Sequence, residues 1–319
     1  MDEPRFVAFL QKKFPFRSGL GIGDDASIVR HGRSFQLIST DLLIEDVHFR
    51  LHDVPMDMLA AKALAVNVSD IAAMGGRPQY FYLGLGFPGR LSPADLRRFF
   101  AGLARAARRW GVELAGGDTS RADKLLIAVT IVGESSRPLR RCGARPGDLV
   151  GITGTTGGSA LGLRLLLAGE SRSPFIRLHQ RPRPQCAKGR VLARFAHAMI
   201  DISDGLLLDL SRVLRASNVG AVIDYEKIPR PAAFTRECRR RGLDEKELVL
   251  SGGEDYELLF TVSPEREKLL RRTGTGYHVI GRITKGRRLR VQENGRRLPV
   301  AGLGFDHFAA DAAGRRGSA

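Results

Sequence analysis

Strand-like and helix-like patterns of apolar residues follow one another along the whole chain. Polar and apolar residues alternate over 35–40, which predicts a strand, and apolar residues cover almost every side of 56–74, which predicts a buried helix. In the second half, strands are predicted over 149–153 and 256–262, with a helix over 206–215 between them. This alternation of strands and helices indicates a fold of the α/β or α+β class.

Local start and stop signals add detail to these elements. Ser92 followed by Pro93 is typical of a helix start, and this helix is expected to reach Trp110. The Pro- and Arg-rich stretch 171–186 is expected to be irregular. The glycine-rich turn 154–159 has two interpretations, a tight turn or a cradle for a phosphate at a helix N-terminus.

Carboxylates recur where apolar runs end, beside glycines and hydroxyl groups. The acids with this setting are Asp25, Asp41, Asp70, Asp118, Asp201, Asp204 and Glu254. Carboxylates that are brought together repel one another, and a compact site holds them charged when cations lie between them. Oxygen ligands of this kind suit Mg²⁺. The pattern therefore predicts several Mg²⁺ ions that hold a polyphosphate, and it indicates phosphoryl-transfer or phosphate-ester chemistry.

Two of these acids have a second interpretation. Asp70 lies on the apolar stripe of the helix predicted over 56–74, where a carboxylate is costly unless it is paired or binds a metal. It is therefore either a metal ligand or an acid that a helix cap or an arginine satisfies. Asp204 either joins the other acids or caps the helix predicted over 206–215.

Charge and composition narrow the range of partners. The 319 residues include 51 Lys and Arg against 34 Asp and Glu, a formal net charge of +17. The basic residues are scattered and lack interleaved aromatic residues, so we expect no nucleic-acid partner and interpret the charge as an attraction for small anionic substrates. No apolar run reaches the roughly 18–20 residues that span a bilayer, and the N-terminus lacks a signal-peptide pattern, so no membrane partner is expected. Three widely spaced cysteines fit a reducing cytoplasm.

An ordered set of short motifs resembles the thiamine-monophosphate kinases. It extends from about residue 19 to Phe308 and comprises GIGDDA at 21–26, STD at 39–41, HF at 48–49, KALAVNVSD at 62–70, GGDT at 116–119, ISDGL at 202–206 and SGGEDYEL at 251–258. Each motif alone is a modest signal, whereas the ordered set is specific. The resemblance implies the two-domain fold of the aminoimidazole-ribonucleotide-synthetase-like superfamily. It also implies a homodimer whose N-terminal sheets pair into a β-barrel, with ATP in a flanking cleft.

The resemblance also implies a domain organisation. The composition changes around 140–148, where Pro138, Gly143, Pro146 and Gly147 predict that the chain crosses between domains. The N-terminal domain, over 1–138, would bind ATP and Mg²⁺ and form the dimer, and the C-terminal α/β domain would cover 139–308. The tail over 309–319 is rich in Ala, Gly and Arg and is expected to be disordered.

The activity that the resemblance implies is phosphorylation of thiamine phosphate by ATP, which gives ADP and thiamine diphosphate. The implied magnesium ligands are Asp25, Ser39, Thr40, Asp41, Asp70, Asp118, Asp201 and Asp204, and Asp41, Asp70, Asp118 and Asp204 are the implied catalytic residues. The implied ATP contacts are Gly117, Asp118, Arg141 and Ser203. The implied thiamine phosphate contacts are His48, Glu254 and Phe305, although His48 and Phe305 also have a purely structural interpretation.

We expect direct in-line transfer to a phosphate oxygen of the acceptor, which is already an anion and needs no general base. Several Mg²⁺ ions and Arg141 would screen the repulsion between the two anions, and Lys62 is a further candidate for this role. Other synthetases of the superfamily are alternatives. Selenophosphate synthetase would need a reactive cysteine near the N-terminus, whereas the first is Cys142, and the hydrogenase-maturation dehydratase would need a C-terminal cysteine. A nucleotide-binding regulator without turnover is an alternative of another class.

Overall fold

The computed structural model describes residues 3–299 together with Gly302 and Gly304. Phe305 and the tail predicted over 309–319 lie outside the described residues. In the described part of the chain, no helix has the length and apolar character that crossing a membrane requires.

The first half of the chain forms a six-stranded sheet with helices on one face. Its helices are α1 (Glu3–Lys13), α2 (Met56–Ala73) and α3 (Pro93–Trp110). Its strands are β1 (Gly19–Leu20), β2 (Ser27–His31), β3 (Ser34–Ile44), β4 (Arg77–Phe87), β5 (Glu113–Arg121) and β6 (Leu126–Ser135). The strand order is β1-β2-β3-β6-β4-β5, and all neighbours are antiparallel except the parallel pair β4 and β5.

Helix α2 is the buried centre of this half. Its Leu59, Leu64 and Ile71 are fully buried in one apolar cluster with residues of the sheet and of α3. Because α2 is apolar nearly all round, it can be covered on both sides. Helix α3 begins as predicted, with a capping box in which Ser92 and Asp95 exchange side-chain and backbone hydrogen bonds.

The second half forms a seven-stranded sheet with helices packed on it. Its strands are β7 (Leu149–Ile152), β8 (Ala198–Asp201), β9 (Gly220–Asp224), β10 (Leu258–Val262), β11 (His278–Thr284), β12 (Leu289–Glu293) and β13 (Arg296–Leu298), in the order β13-β12-β9-β11-β7-β10-β8. Its helices are α4 (Gly158–Leu167), α5 (Pro174–Gln180), α6 (Cys186–Leu192), α7 (Leu206–Ser217), α8 (Phe234–Arg241), α9 (Glu245–Ser251) and α10 (Pro264–Arg271). The two mixed sheets with their helices confirm the predicted fold class, and neither sheet closes into a barrel within the described residues.

Close packing between α2 and α6 joins the two halves. Ala72 at the end of α2 shares a buried apolar cluster with Leu192 and Met199 of the second half. At Gly189 of α6 an added Cβ would overlap the backbone carbonyl of Ala72. This contact brings the last turns of α2 beside the C-terminal end of β8.

Three local predictions were wrong, and strand pairing or helix capping explains each. Asp41 lies inside β3 rather than at its end, because the pairing with β6 continues beyond it. Asp118 also lies inside a strand, β5, rather than after the end of an apolar run, because residues 116–121 pair in parallel with β4. The stretch 171–186 is not irregular throughout, since Ser173 caps α5 and Pro174 begins it.

We expect Gly189→Ala to destabilise the protein. In a helix free of this contact, alanine would be favoured over glycine by about 1 kcal/mol. Here the added methyl group would overlap the Ala72 carbonyl, and overpacking of this kind costs about 1–3 kcal/mol. Urea unfolding measures the change in the free energy of unfolding.

The matched control is Ala187→Gly, at an exposed position of the same helix. It should lose only helix propensity, about 1 kcal/mol or less. A Gly189→Ala protein that is more stable than the unsubstituted protein would show that α6 does not pack this tightly on α2.

Candidate active site

A cavity of about 1600 Å³ opens between the two halves of the chain. Residues of α1, β3 and α2 line one side, and residues of α4, α7 and the segment 250–254 line the other. Pockets for single drug-sized ligands hold about 300–1,000 Å³, so this cavity has room for two substrates. The candidate residues that line it are Asp25, Ser39, Thr40, Asp41, His48, Asp70, Arg141, Asp201, Ser203, Asp204 and Glu254.

Three carboxylates meet at the wall of this cavity and form the acidic cluster: Asp25 from the loop before β2, Asp70 from α2 and Asp201 from the end of β8. One oxygen of each lies within 4.8 Å of the others. Asp25 Oδ2 is buried and has no hydrogen-bond partner among the described residues. An unpaired buried oxygen is costly unless a ligand satisfies it. The oxygen-only donor set and this unsatisfied oxygen fit a Mg²⁺ ion.

Two serine hydroxyls orient the acidic cluster. Ser39 Oγ donates to Asp70 Oδ2 at 2.5 Å, and Ser69 Oγ donates to Asp201 Oδ2 at 2.6 Å. Each bond engages one carboxylate oxygen, so the other oxygen can face a ligand. Ser39 is among the residues predicted from the sequence, whereas Ser69 is not, although it directly precedes Asp70.

Arg141 binds the third member of the cluster. Its guanidinium donates to Asp25 Oδ1 from Nη2 at 2.7 Å and from Nε at 3.2 Å. Asp24 is held separately, since the backbone N–H of Arg141 and the side chain of Arg140 both donate to it. Of Asp24 and Asp25, Asp25 is the one among the described residues that line the cavity.

Strand β3 directs its polar residues to different sides. Side chains alternate along a strand, so Ser39 and Asp41 share the face towards α2, where Asn67 Oδ1 accepts the backbone N–H of Asp41 at 3.1 Å. Thr40 has the opposite direction, and its hydroxyl lies 2.9 Å from that of Thr130. Asp41 therefore lies on the side of the acidic cluster and its ligand role stays a prediction, whereas the hydroxyl of Thr40 is engaged away from the cluster.

Burial and mutual repulsion raise the pKa of these carboxyl groups. Burial, followed by repulsion from Asp204 and Asp25, raises the pKa of Asp41 to about 6. Burial, followed by repulsion from Asp41 and Asp201, raises the pKa of Asp70 well above its ordinary value. Burial, and after it repulsion from Asp25, also raises the pKa of Asp201 well above its ordinary value. Protons and cations therefore compete for the same oxygens.

Asp209, which the sequence analysis missed, shapes the loop that carries Ser203 and Asp204. Its Oδ2 accepts the backbone N–H groups of Ser203, Asp204 and Gly205 at 3.0, 3.0 and 3.2 Å. Arg212 contacts both Asp204 and Asp209, at 2.7 and 2.5 Å. Asp204 does not cap α7, which begins after Gly205 without a side-chain cap. The overlooked signal was an acid on the otherwise apolar face of this helix.

The two predicted substrate residues within the described chain lie in the cavity wall. His48 Nδ1 accepts the backbone N–H of Ile44 at 3.0 Å, which places the ring proton on Nε2. Glu254 is paired with Lys62, whose ammonium group lies 2.9 Å from Oε1 and 3.0 Å from Oε2. The ammonium group of Lys62 is therefore paired with Glu254. This pairing differs from the predicted role of Lys62, which was to screen the repulsion between the two anionic substrates.

Gly117 and Asp118 are not brought to this cavity. Both lie on β5, every residue of which is exposed. The register places Gly117 in the same row of the sheet as Asp41, with β6 and β4 between them. Three strand spacings amount to about 14 Å, so a single chain does not place Asp118 beside the acidic cluster. Its roles stay a prediction.

The glycine-rich turn 154–159 is a structural turn in this protein. The carboxylate of Asp255 accepts the backbone N–H groups of Gly157 and Ser159 at 2.9 and 3.3 Å. Because an internal acid occupies the amides that a phosphate would need, the phosphate-cradle interpretation was wrong.

We expect Mg²⁺ to stabilise the protein more at pH 8 than at pH 5. The pKa of Asp41 is about 6 in the folded protein and about 3.9 in an unfolded chain. The folded protein therefore binds more protons between these values, and its free energy of unfolding should fall as the pH rises from about 4 to about 6. Above that range Mg²⁺ can replace the protons and restore stability. Thermal unfolding with and without Mg²⁺ at both pH values measures the effect.

The same measurement on Asp25→Asn should show little increase in Tm with Mg²⁺. The control is Asp123→Asn, at an exposed position distant in sequence from the acidic cluster, which should respond as the unsubstituted protein does. An undiminished response of Asp25→Asn would contradict the assignment of the site.

Comparisons with known proteins identify both halves of the chain. The family model described as AIR synthase related protein, N-terminal domain, matches residues 23–135, and the C-terminal domain model matches residues 145–294. These matches confirm the predicted two-domain, synthetase-like fold.

Curated relatives and a solved structure narrow the family. Thiamine-monophosphate kinase of Bacillus subtilis is 37% identical and covers 82% of each chain, and that of Escherichia coli is 39% identical and covers 91% of this chain and 92% of its own. A solved structure described as "AaThiL complexed with AMPPCP and TMP" is 34% identical, has a TM-score of 0.87 and covers 96% of this chain and 97% of its own. The chain belongs to the thiamine-monophosphate kinase family.

Proposed function

We propose that this protein transfers the γ-phosphoryl group of ATP to thiamine phosphate, with ADP and thiamine diphosphate as products. The observation that carries the proposal is the acidic cluster of Asp25, Asp70 and Asp201 in the wall of a cavity with room for two substrates. Family membership supports the choice of substrates, because a solved relative holds AMPPCP and TMP together. Both halves of the chain line this cavity, so both would contribute to binding.

The residues present fit more than one Mg²⁺ ion. Asp25, Asp70 and Asp201 would hold one ion. Asp41 lies close enough to repel Asp25 and Asp70, and Asp204 close enough to repel Asp41, so these two acids could share a further ion. When bound, Mg²⁺ neutralises phosphate charge and polarises the P–O bonds of the nucleotide. Ser39 and Ser69 would keep the ligand oxygens oriented, because each holds one carboxylate of the cluster.

The transfer itself needs little from protein side chains beyond positioning. A phosphate oxygen of the acceptor would form the new bond to the γ-phosphorus while the bond to the ADP oxygen breaks, and no proton has to move. Arg141 lines the cavity beside Asp25 and would add positive charge near the phosphates. Ser203 is a second proposed ATP contact, on the loop that Asp209 fixes.

The acceptor would occupy the part of the cavity near His48 and Glu254. Both side chains line the wall, and Glu254 presents a carboxylate that suits the cationic rings of thiamine phosphate. Phe305 is proposed as a further contact from the sequence alone, and the nearby Gly304 lines the cavity. The three free cysteines of the chain suit the cytoplasm, where we place this activity.

We also propose that two copies pair through the N-terminal sheet. Strand β5 is an edge strand of nine exposed residues, and a long open edge normally needs cover. Leu42, Tyr82 and Leu114 add exposed apolar surface on three strands of the same sheet. A second copy on this sheet would cover that surface and could bring Gly117 and Asp118 to a composite nucleotide site, as the predicted barrel requires.

We expect Asp70→Asn to remove kinase activity and to leave the fold intact. Asparagine can still accept the hydrogen bond from Ser39, but it removes one charge from the acidic cluster. Loss of a preorganised electrostatic contact costs about 100-fold or more in turnover. Thiamine-phosphate-dependent release of ADP measures the activity, and circular dichroism monitors the fold.

Asp123→Asn is the control and should keep full turnover, since it lies on the exposed surface. Near-normal turnover by Asp70→Asn would contradict the proposed function. The assay should be repeated with other phosphorylated acceptors, because ADP release with one of these and not with thiamine phosphate would favour another synthetase of the superfamily.

We expect Leu114→Glu to weaken the dimer. The substitution places a charge on an apolar residue that is 52% exposed on β5, and its burial in an interface would be costly. Sedimentation velocity should show a shift from dimer to monomer. Leu269→Glu is the matched control, because Leu269 on α10 is also 52% exposed. A monomeric unsubstituted protein would contradict the proposal.

A further inference from the structure

Glu254 occupies an unusual position in the chain. Its backbone has a φ of 62°, in the left-handed region that few residues other than glycine adopt. The backbone N–H of Glu254 donates to the carbonyl of Ser203 at 2.7 Å. This bond connects Glu254 to the loop that carries Ser203, a proposed ATP contact. The side chain is 26% exposed at the cavity wall. Tertiary contacts, rather than local preference, therefore decide where this carboxylate points.

Lys62 supplies the charge that balances Glu254. Its side chain is 3% exposed within α2, and its ammonium group contacts both carboxylate oxygens. A buried ammonium group without a partner is very costly. The pair therefore links the first half of the chain to the segment that carries Glu254.

His179 provides a third contact and restricts the direction of the carboxylate. Its Nδ1 lies 2.9 Å from Glu254 Oε2 and 3.1 Å from Ser159 Oγ, and its Nε2 lies 3.5 Å from Lys62 Nζ. An ammonium group can only donate, so Nε2 accepts from Lys62 and the ring proton is on Nδ1, from which it reaches Glu254. In this arrangement the Nδ1–H of His179 is the group that contacts Glu254 Oε2.

These contacts keep Glu254 ionised although most of its side chain is buried. Burial alone would raise the pKa of Glu254, but the ammonium group of Lys62 and the ring of His179 outweigh burial and lower this pKa below its ordinary value. A carboxylate held through three contacts by two donor groups has little freedom to turn. It can meet a cationic ligand without reorganisation.

We propose that His179 is a positioning residue for substrate recognition, which acts with Lys62 to hold the Glu254 carboxylate towards the cationic part of thiamine phosphate. The inference rests on the proposed function, because it assigns the acceptor to this part of the cavity. Neither residue need touch the substrate. Their effect should be specific to the acceptor, since the acidic cluster that would serve ATP is built from other side chains.

The test compares two substitutions of His179. The side-chain amide of asparagine can replace an Nδ1–H donor, whereas leucine fills the space without a donor. His179→Leu should raise the KM for thiamine phosphate by about tenfold or more, the effect expected from the loss of a hydrogen bond to a charged group. His179→Asn should restore much of this loss. The KM for ATP should stay unchanged in both.

A matched control separates positioning from general loss of stability. His197 is also nearly buried, and its Nδ1 lies 2.9 Å from the carboxylate of Asp148, but neither residue is among the described residues that line the cavity. His197→Leu should lower the Tm and leave the KM for thiamine phosphate unchanged. A Tm scan of every variant identifies any that fails to fold.

A double variant tests whether His179 acts through Glu254. In a Glu254→Gln background, His179→Leu should add less than twofold to the KM for thiamine phosphate, because the carboxylate that it positions is gone. A full additional effect would overturn the inference, as would an unchanged KM in His179→Leu alone or equal increases in both KM values. Failure of the proposed function looks different, since the unsubstituted protein would then release no ADP with thiamine phosphate.

Discussion

The mutual repulsion of buried carboxylates is the constraint on which the rest of this structure depends. Asp25, Asp70 and Asp201 come from three separate elements and meet within 4.8 Å. Without a cation, such a group raises its own pKa values and weakens the fold that assembles it. The stability of the fold is thus linked to the charge of the acidic cluster, and the proposed Mg²⁺ ions would relieve the same repulsion.

Helix α2 makes this arrangement possible because it belongs to both halves. Its middle turns are packed between the first sheet and α3, and its last turns pack on α6 and β8. The glycine at position 189 allows the backbones to approach closely enough for Ser69 to bond Asp201. The same helix carries Lys62 towards Glu254, two turns before Asp70. One rigid element therefore sets the spacing between the acidic cluster and the proposed acceptor end of the cavity.

The acidic cluster and Glu254 both line the cavity, but their charges are balanced differently. In the acidic cluster, excess negative charge is left for cations, with Arg141 as the partner of Asp25. At Glu254, a single carboxylate is balanced by Lys62 and held by His179, so it stays ionised and oriented. This division suits a reaction between two anions, one of which carries a cationic organic part.

The sequence by itself determined the fold class, the buried helix over 56–74 and most acids of the candidate site, because periodicity, caps and the ordered motifs are local. It could not determine how far β3 and β5 extend, since strand ends depend on pairing with β6 and β4. Nor could it identify Ser69, His179 and Asp209 as partners of site residues. Ser69 and His179 contact residues that are far away in the sequence, and the contacts of Asp209 depend on the conformation of the loop at Ser203. Tertiary structure alone decided that Gly117 lies on an open edge about three strand spacings, or 14 Å, from Asp41, with Asp118 next to it on the same strand. The physical reason is that the sequence specifies the chemistry of each side chain, whereas packing and strand register set the distances between side chains.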